Sequence, residues 1–280
     1  MPCIGRNRRR SSDTLNQEED QKDGRNAGCY FTSKMWKNDN ITTVPPMRLT
    51  DHPSRYTTSD DSLQIESIKI LSRRGAIRCP IDVFGMITVR DVLDNRTRNI
   101  IFAHARSNCQ TIDEEHPYLQ LIGPMRAIVT CIDPGNIEIA LKVKGVTESE
   151  DRDLSFLVLL LKSSMYISYH GDYSSKRSTL KLEFHHMAGA VEATIGVRLI
   201  TGGSSLPLGD FQGVFTASID NIDDMEILLL AFRGGKLSFA DDGTVNLSRR
   251  VINVGLRDRE ELKVSIVARC EEEEHVAIKR

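Results

Sequence analysis

Asp220, Asp223 and Asp224 fall within five residues of one another, in a segment free of lysine and arginine. Carboxylates gathered on one loop are what a hard cation such as calcium requires, so these three are the calcium candidates of the chain. Asp91 and Asp94 form a second acidic pair, but Arg90, Arg96 and Arg98 crowd it and would neutralise a site there. Turn-forming aspartates are the simpler reading of both groups, and no metal is assigned to them. Glu183 and His185 would share a strand face and His186 the opposite one, an arrangement that suits ordinary hydrogen-bonded side chains better than a metal site. No two histidines have the i, i+4 spacing of a helical zinc motif.

Nucleophile and phosphate chemistry are equally bare. The sequence has no Gly-x-Ser-x-Gly elbow, no Gly-x-x-x-x-Gly-Lys-Ser/Thr loop and no Cys-x-x-Cys pair. The six cysteines (Cys3, Cys29, Cys79, Cys109, Cys131 and Cys270) lie far apart. They read as reduced, structural thiols. No catalytic residue and no cofactor is predicted.

Whatever site exists must be carried by strands. Ile137, Ile139, Leu141 and Val143 alternate with Glu138, Ala140, Lys142 and Lys144, and Val191 to Ile200 repeats the design. Successive side chains of an extended chain leave on opposite faces, so these segments have one dry and one wet face. Further runs occupy 63–71, 83–90, 99–105, 118–121, 126–132, 180–186, 211–219, 226–232, 237–240, 245–254 and 262–269. Phe156 to Lys162 is apolar on both faces and predicts a central strand covered on both sides. A dozen short strands separated by turn signals predict an all-β fold, an antiparallel β-sandwich, with a closed β-barrel as the alternative. A short helix between Ser218 and Glu226 is the one helical expectation.

The first sixty residues differ. They hold a basic cluster at Arg6 to Arg10, a polar stretch from Ser11 to Arg25, Pro45-Pro46, and few large apolar side chains. Ordering them would cost roughly 1–2 kcal/mol per residue, which so little burial does not offset. The expected organisation is a disordered arm over 1–61, a β-sandwich domain over 62–270 and a charged tail over 271–280. Charge nearly cancels, with 37 basic and 39 acidic residues, and basic pairs such as Arg249-Arg250, Arg96/Arg98 and Lys176-Arg177 read as solvated edge charges. Nucleic acid is therefore not an expected partner. No run approaches the roughly 18 apolar residues of a membrane span, and no secretory signal is read at the start. An intracellular protein, cytoplasmic or nuclear, is expected.

From Pro80 to Asp91 (Pro-Ile-Asp-Val-Phe-Gly-Met-Ile-Thr-Val-Arg-Asp) the chain resembles a plant family of unknown function that is expanded in grasses. The likeness continues through 98–102, through 106–112, and through 119–127 with Gly123-Pro124-Met125-Arg126 at its centre. It then takes in Asp133-Pro134, 139–145, 192–198 and Leu247-Ser248-Arg249-Arg250-Val251. Members of that family occur alone or fused behind a ribosome-inactivating N-glycosidase domain, and the β-rich domain brings no known catalytic residues. The N-glycosidase uses a helical Glu-x-x-Arg pair, and this chain has none. The leading expectation is a non-catalytic β-sandwich that recognises a protein or glycan partner in plant stress or defence, with strand-end loops as the contact region because they vary without disturbing the core. Two alternatives stand beside it. One is a calcium- or lipid-binding module using Asp220, Asp223 and Asp224; the other is an accessory to ribosome-inactivating proteins without N-glycosidase activity of its own.

Overall fold

The computed structural model describes residues 40–46, 60–75, 77–130, 135–161, 168–198, 212–220, 222, 225–233, 237–256, 261–270 and 273–279. Its long elements are all strands: β1 (Asp60–Arg73), β2 (Ile81–Arg90), β3 (Asn99–His104), β4 (Gln110–Ile112), β5 (Ile128–Val129), β6 (Gly135–Val143) and β7 (Arg152–Leu161). After these come β8 (Ser168–Ser174), β9 (Ser178–Thr194), β10 (Gln212–Ile219), β11 (Ile227–Phe232), β12 (Val251–Gly255), β13 (Leu262–Cys270) and β14 (Glu273–Lys279). They form three antiparallel sheets, none closed into a barrel. The first has the order β12-β9-β1-β5 with β8 beside β9, the second β3-β2-β6-β7 with β4 beside β2, and the third β11-β10-β13-β14.

Alternation explains the first core. Ile137, Ile139 and Leu141 of β6, Val83, Ile87 and Val89 of β2, and Leu180 and Leu182 of β9 are all buried in one cluster between the first two sheets. In β1 the apolar phase changes from Leu63 and Ile65 to Ile68 and Ile70. A bulge at Glu66, between the pairs Ile65–Phe184 and Ser67–Glu183, absorbs the extra residue and keeps all four in that cluster. The second core lies against the other end of β9. Met187, Ala190 and Ile195 pack with Phe215, Ala217 and Ile219 of β10, Ile227 and Leu229 of β11, and Ile252 of β12. A bulge at Ala188-Gly189 makes the change of packing partner possible. Gly189 has φ +57°, a conformation that suits glycine, and its N–H donates to the Asp61 carboxylate at 2.9 Å.

Several expectations are corrected. The runs 180–186 and 191–200 are parts of one seventeen-residue strand, β9, which ends at Thr194. Phe156 to Leu161 belongs to an edge strand, with Phe156 and Leu160 exposed, rather than to a covered central one. The run 245–254 shortens to β12, and 126–132 to the two residues of β5. The charged tail expected over 271–280 contains β14, because pairing with β13 from Val264–Lys279 to Cys270–Glu273 supplies its backbone partners. Of the arm over 1–61, residues 40–46 and 60–61 are described. Thr42 donates its N–H to Arg98 O and Asn40 O accepts from Arg98 N–H, both at 2.9 Å, so this piece borders β3. The helix expected between Ser218 and Glu226 lies partly outside the described residues, and Ser218 and Ile219 are in β10.

Candidate functional site

The outward face of the second sheet carries the site. Phe84 and Met86 of β2, Ala103 and His104 of β3, Ala140 and Lys142 of β6, and Asp153 and Phe156 of β7 line an open groove of about 760 Å³. Its concavity follows from small residues flanked by large ones. Ala103, Ala105 and Ala140 leave the space, while Phe84, Met86 and Phe156 border it. Gly85 makes the close approach of β2 to β6: it has φ +120°, and a Cβ there would stand 2.1 Å from Ala140 O.

Polar groups sit on the rim. Lys142 Nζ and Asp153 Oδ1 are 3.9 Å apart and both more than half exposed, a pairing that adds little stability. His104 Nδ1 lies 2.7 Å from Asn108 O and donates to that carbonyl.

One end of the same face is closed by buried charge. Glu138 accepts from Arg90 Nε at 2.6 Å and from Arg98 Nε at 3.1 Å, and Arg90 Nη1 donates to Arg96 O at 2.5 Å. Arg98 Nη1 reaches Met86 Sδ at 4.0 Å, which joins this cluster to the groove wall. Next to it Arg126 forks onto Asp91, with Nη1–Oδ2 at 2.6 Å and Nη2–Oδ1 at 2.9 Å, both residues being almost wholly buried. Asp91 also accepts the Val129 N–H at 2.9 Å, tying β2's end to β5. Near Lys142, Arg106 grips Asp151, and this bond, followed by the Gly145 N–H, holds the Asp151 carboxyl below its ordinary value.

The candidates from sequence are described only in part. Asp220 is exposed and its N–H donates to Glu261 O at 3.0 Å, whereas Asp223 and Asp224 lie outside the described residues. Glu183 and His185 take separate partners: Glu183 meets Lys181 and Ser67, each at 2.5 Å, and His185 Nε2 meets Glu66 Oε2 at 2.8 Å. Burial pushes the Glu183 carboxyl up, but the Lys181 and Ser67 bonds outweigh it and leave it lowered. Among the described residues, no group of three His, Cys, Asp or Glu is placed to hold a metal ion.

Arginines are what the sequence reading missed. Arg249 and Arg98 are 2% and 4% exposed, the reverse of solvated edge charges, while their neighbours Arg250 and Arg96 are exposed. Arg249 donates to Glu66 O at 2.9 Å and to Ile65 O, capping the β1 bulge, and its backbone N–H donates to Leu229 O at 3.0 Å. Burial lowers its guanidinium to about 10, with the Glu66 charge acting the other way. The available signal was alternation: counting from Leu247 and Val251, Arg249 falls on the inward phase.

Among known families, the one described as a domain of unknown function (DUF6598) matches residues 62–280. No curated protein matches, and no solved structure matches. Among the described residues, no helix is long and apolar enough to cross a membrane.

Proposed function

We propose, for a chain that belongs to the DUF6598 family of domains of unknown function, a non-catalytic recognition module whose contact surface is the groove between β2, β3, β6 and β7. The groove itself carries the reading: an apolar floor with a polar rim is the anatomy of a protein–protein contact. The partner is accordingly a protein that inserts apolar side chains over Ala103, Ala140 and Phe156. A glycan fits less well, because sugar hydroxyls need a dense lining of hydrogen-bonding groups, and the groove offers Lys142, Asp153 and His104 only at its border. Nucleic acid fits less well still, since the one lysine of the groove faces an aspartate. The contact region is therefore a sheet face rather than the strand-end loops expected from sequence. The resemblance to grass proteins is what supports extending this proposal to a role in plant stress or defence.

Affinity capture with the whole protein tests the reading, comparing wild type with Ala140→Arg, which fills the floor, and Phe84→Asp, which charges the wall. The expected result is one captured protein lost in both variants while their melting temperatures stay within a few degrees of wild type. Capture that both folded variants retain would remove the groove as the contact surface.

A further inference from the structure

Strand β7 is an edge of its sheet that, from Ser155 onward, carries neither charge nor proline. Edges in soluble proteins are kept short, charged, bulged or covered, because a row of open N–H and C=O groups is a template for another strand. Several other edges here follow that rule. β5 has two residues. β3 is bordered by Asn40 and Thr42 at Arg98 and by Ile122 N–H at Ile101 O. β11 is met by the Arg249 N–H at Leu229 O. β8 contains His170 and Asp172, and β14 contains Glu273, Glu274 and Lys279.

β7 is different beyond its first turn of sequence. Its start is occupied, since the hydroxyls of Ser175 and Ser178 donate to Leu154 O at 3.2 and 2.8 Å. From Ser155 to Leu161 it reads Ser-Phe-Leu-Val-Leu-Leu-Leu, with no charge and no proline. Among the described residues no strand lies beyond it. Phe156 at 47% and Leu160 at 37% are its two exposed side chains on the outward face, and they stand two residues either side of Val158.

We propose that two copies of this chain pair antiparallel through β7, about a two-fold axis at Val158. That register is self-complementary: Val158 faces its own equivalent, and Phe156 of each copy faces Leu160 of the other. Leu157 and Leu159, which already lean on the first core, pair on the inner face, so side-chain faces match across the junction. The paired stretch is about seven residues, some 23 Å. A junction of one strand pair is small beside a standard stable interface, so the dimer is sought over a micromolar range of concentration. The proposal goes beyond the partner reading; the two share Phe156, which faces Ala140 across the sheet, and Leu160, which lines no part of the groove, separates them.

Sedimentation velocity of the whole protein over about 5–200 μM reads it. The expected result is a mass rising from 31.5 kDa toward twice that value. Leu160→Lys should stay monomeric at the top concentration, and Leu93→Lys, an exposed apolar site on the β2–β3 connection, should dimerise like wild type. Amide exchange in wild type, which needs no variant, should slow between Ser155 and Leu161 as concentration rises. A wild type monomeric at 200 μM overturns the proposal. So does a dimer that a folded Leu160→Lys protein keeps, or one whose exchange protection falls outside β7.

Discussion

At the scale of single residues, buried arginines decide more than the histidines and aspartates that first invite chemical interest. The Arg126–Asp91 fork is enclosed, so each partner depends on the other to offset its desolvation. Arg126→Ala should destabilise the protein by about 3–5 kcal/mol in urea unfolding, the range for leaving one buried charge unpaired. Arg126→Lys should recover only part of it, because a single ammonium cannot reproduce two parallel bonds. Equal stability of Arg126→Lys and wild type would show that the fork geometry is unimportant. The acid limb of stability follows from carboxylates held low. Asp151 and Glu183 lie below their ordinary 3.8 and 4.5, so the stability they add is complete above those values and is lost as pH falls through the lowered ones. Urea midpoints should therefore drop as pH falls below about 4.5, and Asp151→Asn should flatten that drop. A variant profile parallel to wild type would place the acid sensitivity elsewhere.

At the scale of elements, legibility followed solvent. β6 was readable because one face is the core and the other carries Glu138 and Lys142, so polarity alternates with the pleat. β7 misled for the opposite reason: its outward residues Phe156, Val158 and Leu160 are apolar although half open, and apolarity alone cannot distinguish a covered face from a contact face. β9 was split in reading because its bulge at Ala188-Gly189 interrupts the alternation while the strand continues. The groove left no sequence signal of its own, since it arises from Ala103 of β3, Ala105 just beyond it, Ala140 of β6 and one glycine. Gly85 is the sharpest test at this scale. Gly85→Ala adds a methyl 2.1 Å from Ala140 O at a φ that L-residues avoid, so β2 must move from β6. The expected outcome is a loss of at least about 2 kcal/mol, the range of combined backbone strain and steric displacement, with Ala140 and Leu141 amides exchanging faster. A Gly85→Ala protein as stable as wild type would mean the two strands can separate freely.

At the scale of the molecule, two cores share one spine. β9 and β1 are paired over almost their whole lengths, and β9 buries Leu180 and Leu182 in the first core and Met187 and Ile195 in the second. Arg249 strengthens the junction, because it joins the β1 bulge to β11 across the boundary between cores. The chain order interlocks the halves as well. β12 follows the β10–β11 hairpin in sequence, yet returns to pair with β9 from Val251–Thr194 to Gly255–Ala190. The first sheet therefore takes a strand from between β11 and β13 of the third, and unfolding should be a single cooperative event. Cavity variants placed in each core test this directly. Ile139→Ala in the first core and Leu229→Ala in the second should each cost about 2–5 kcal/mol. Both should shift one shared urea transition without changing its slope, since the slope reports the surface exposed in the whole event. If Leu229→Ala instead split the curve, with the β10–β11–β13–β14 sheet melting ahead of the rest, the spine would be a tether between two units rather than the frame of one.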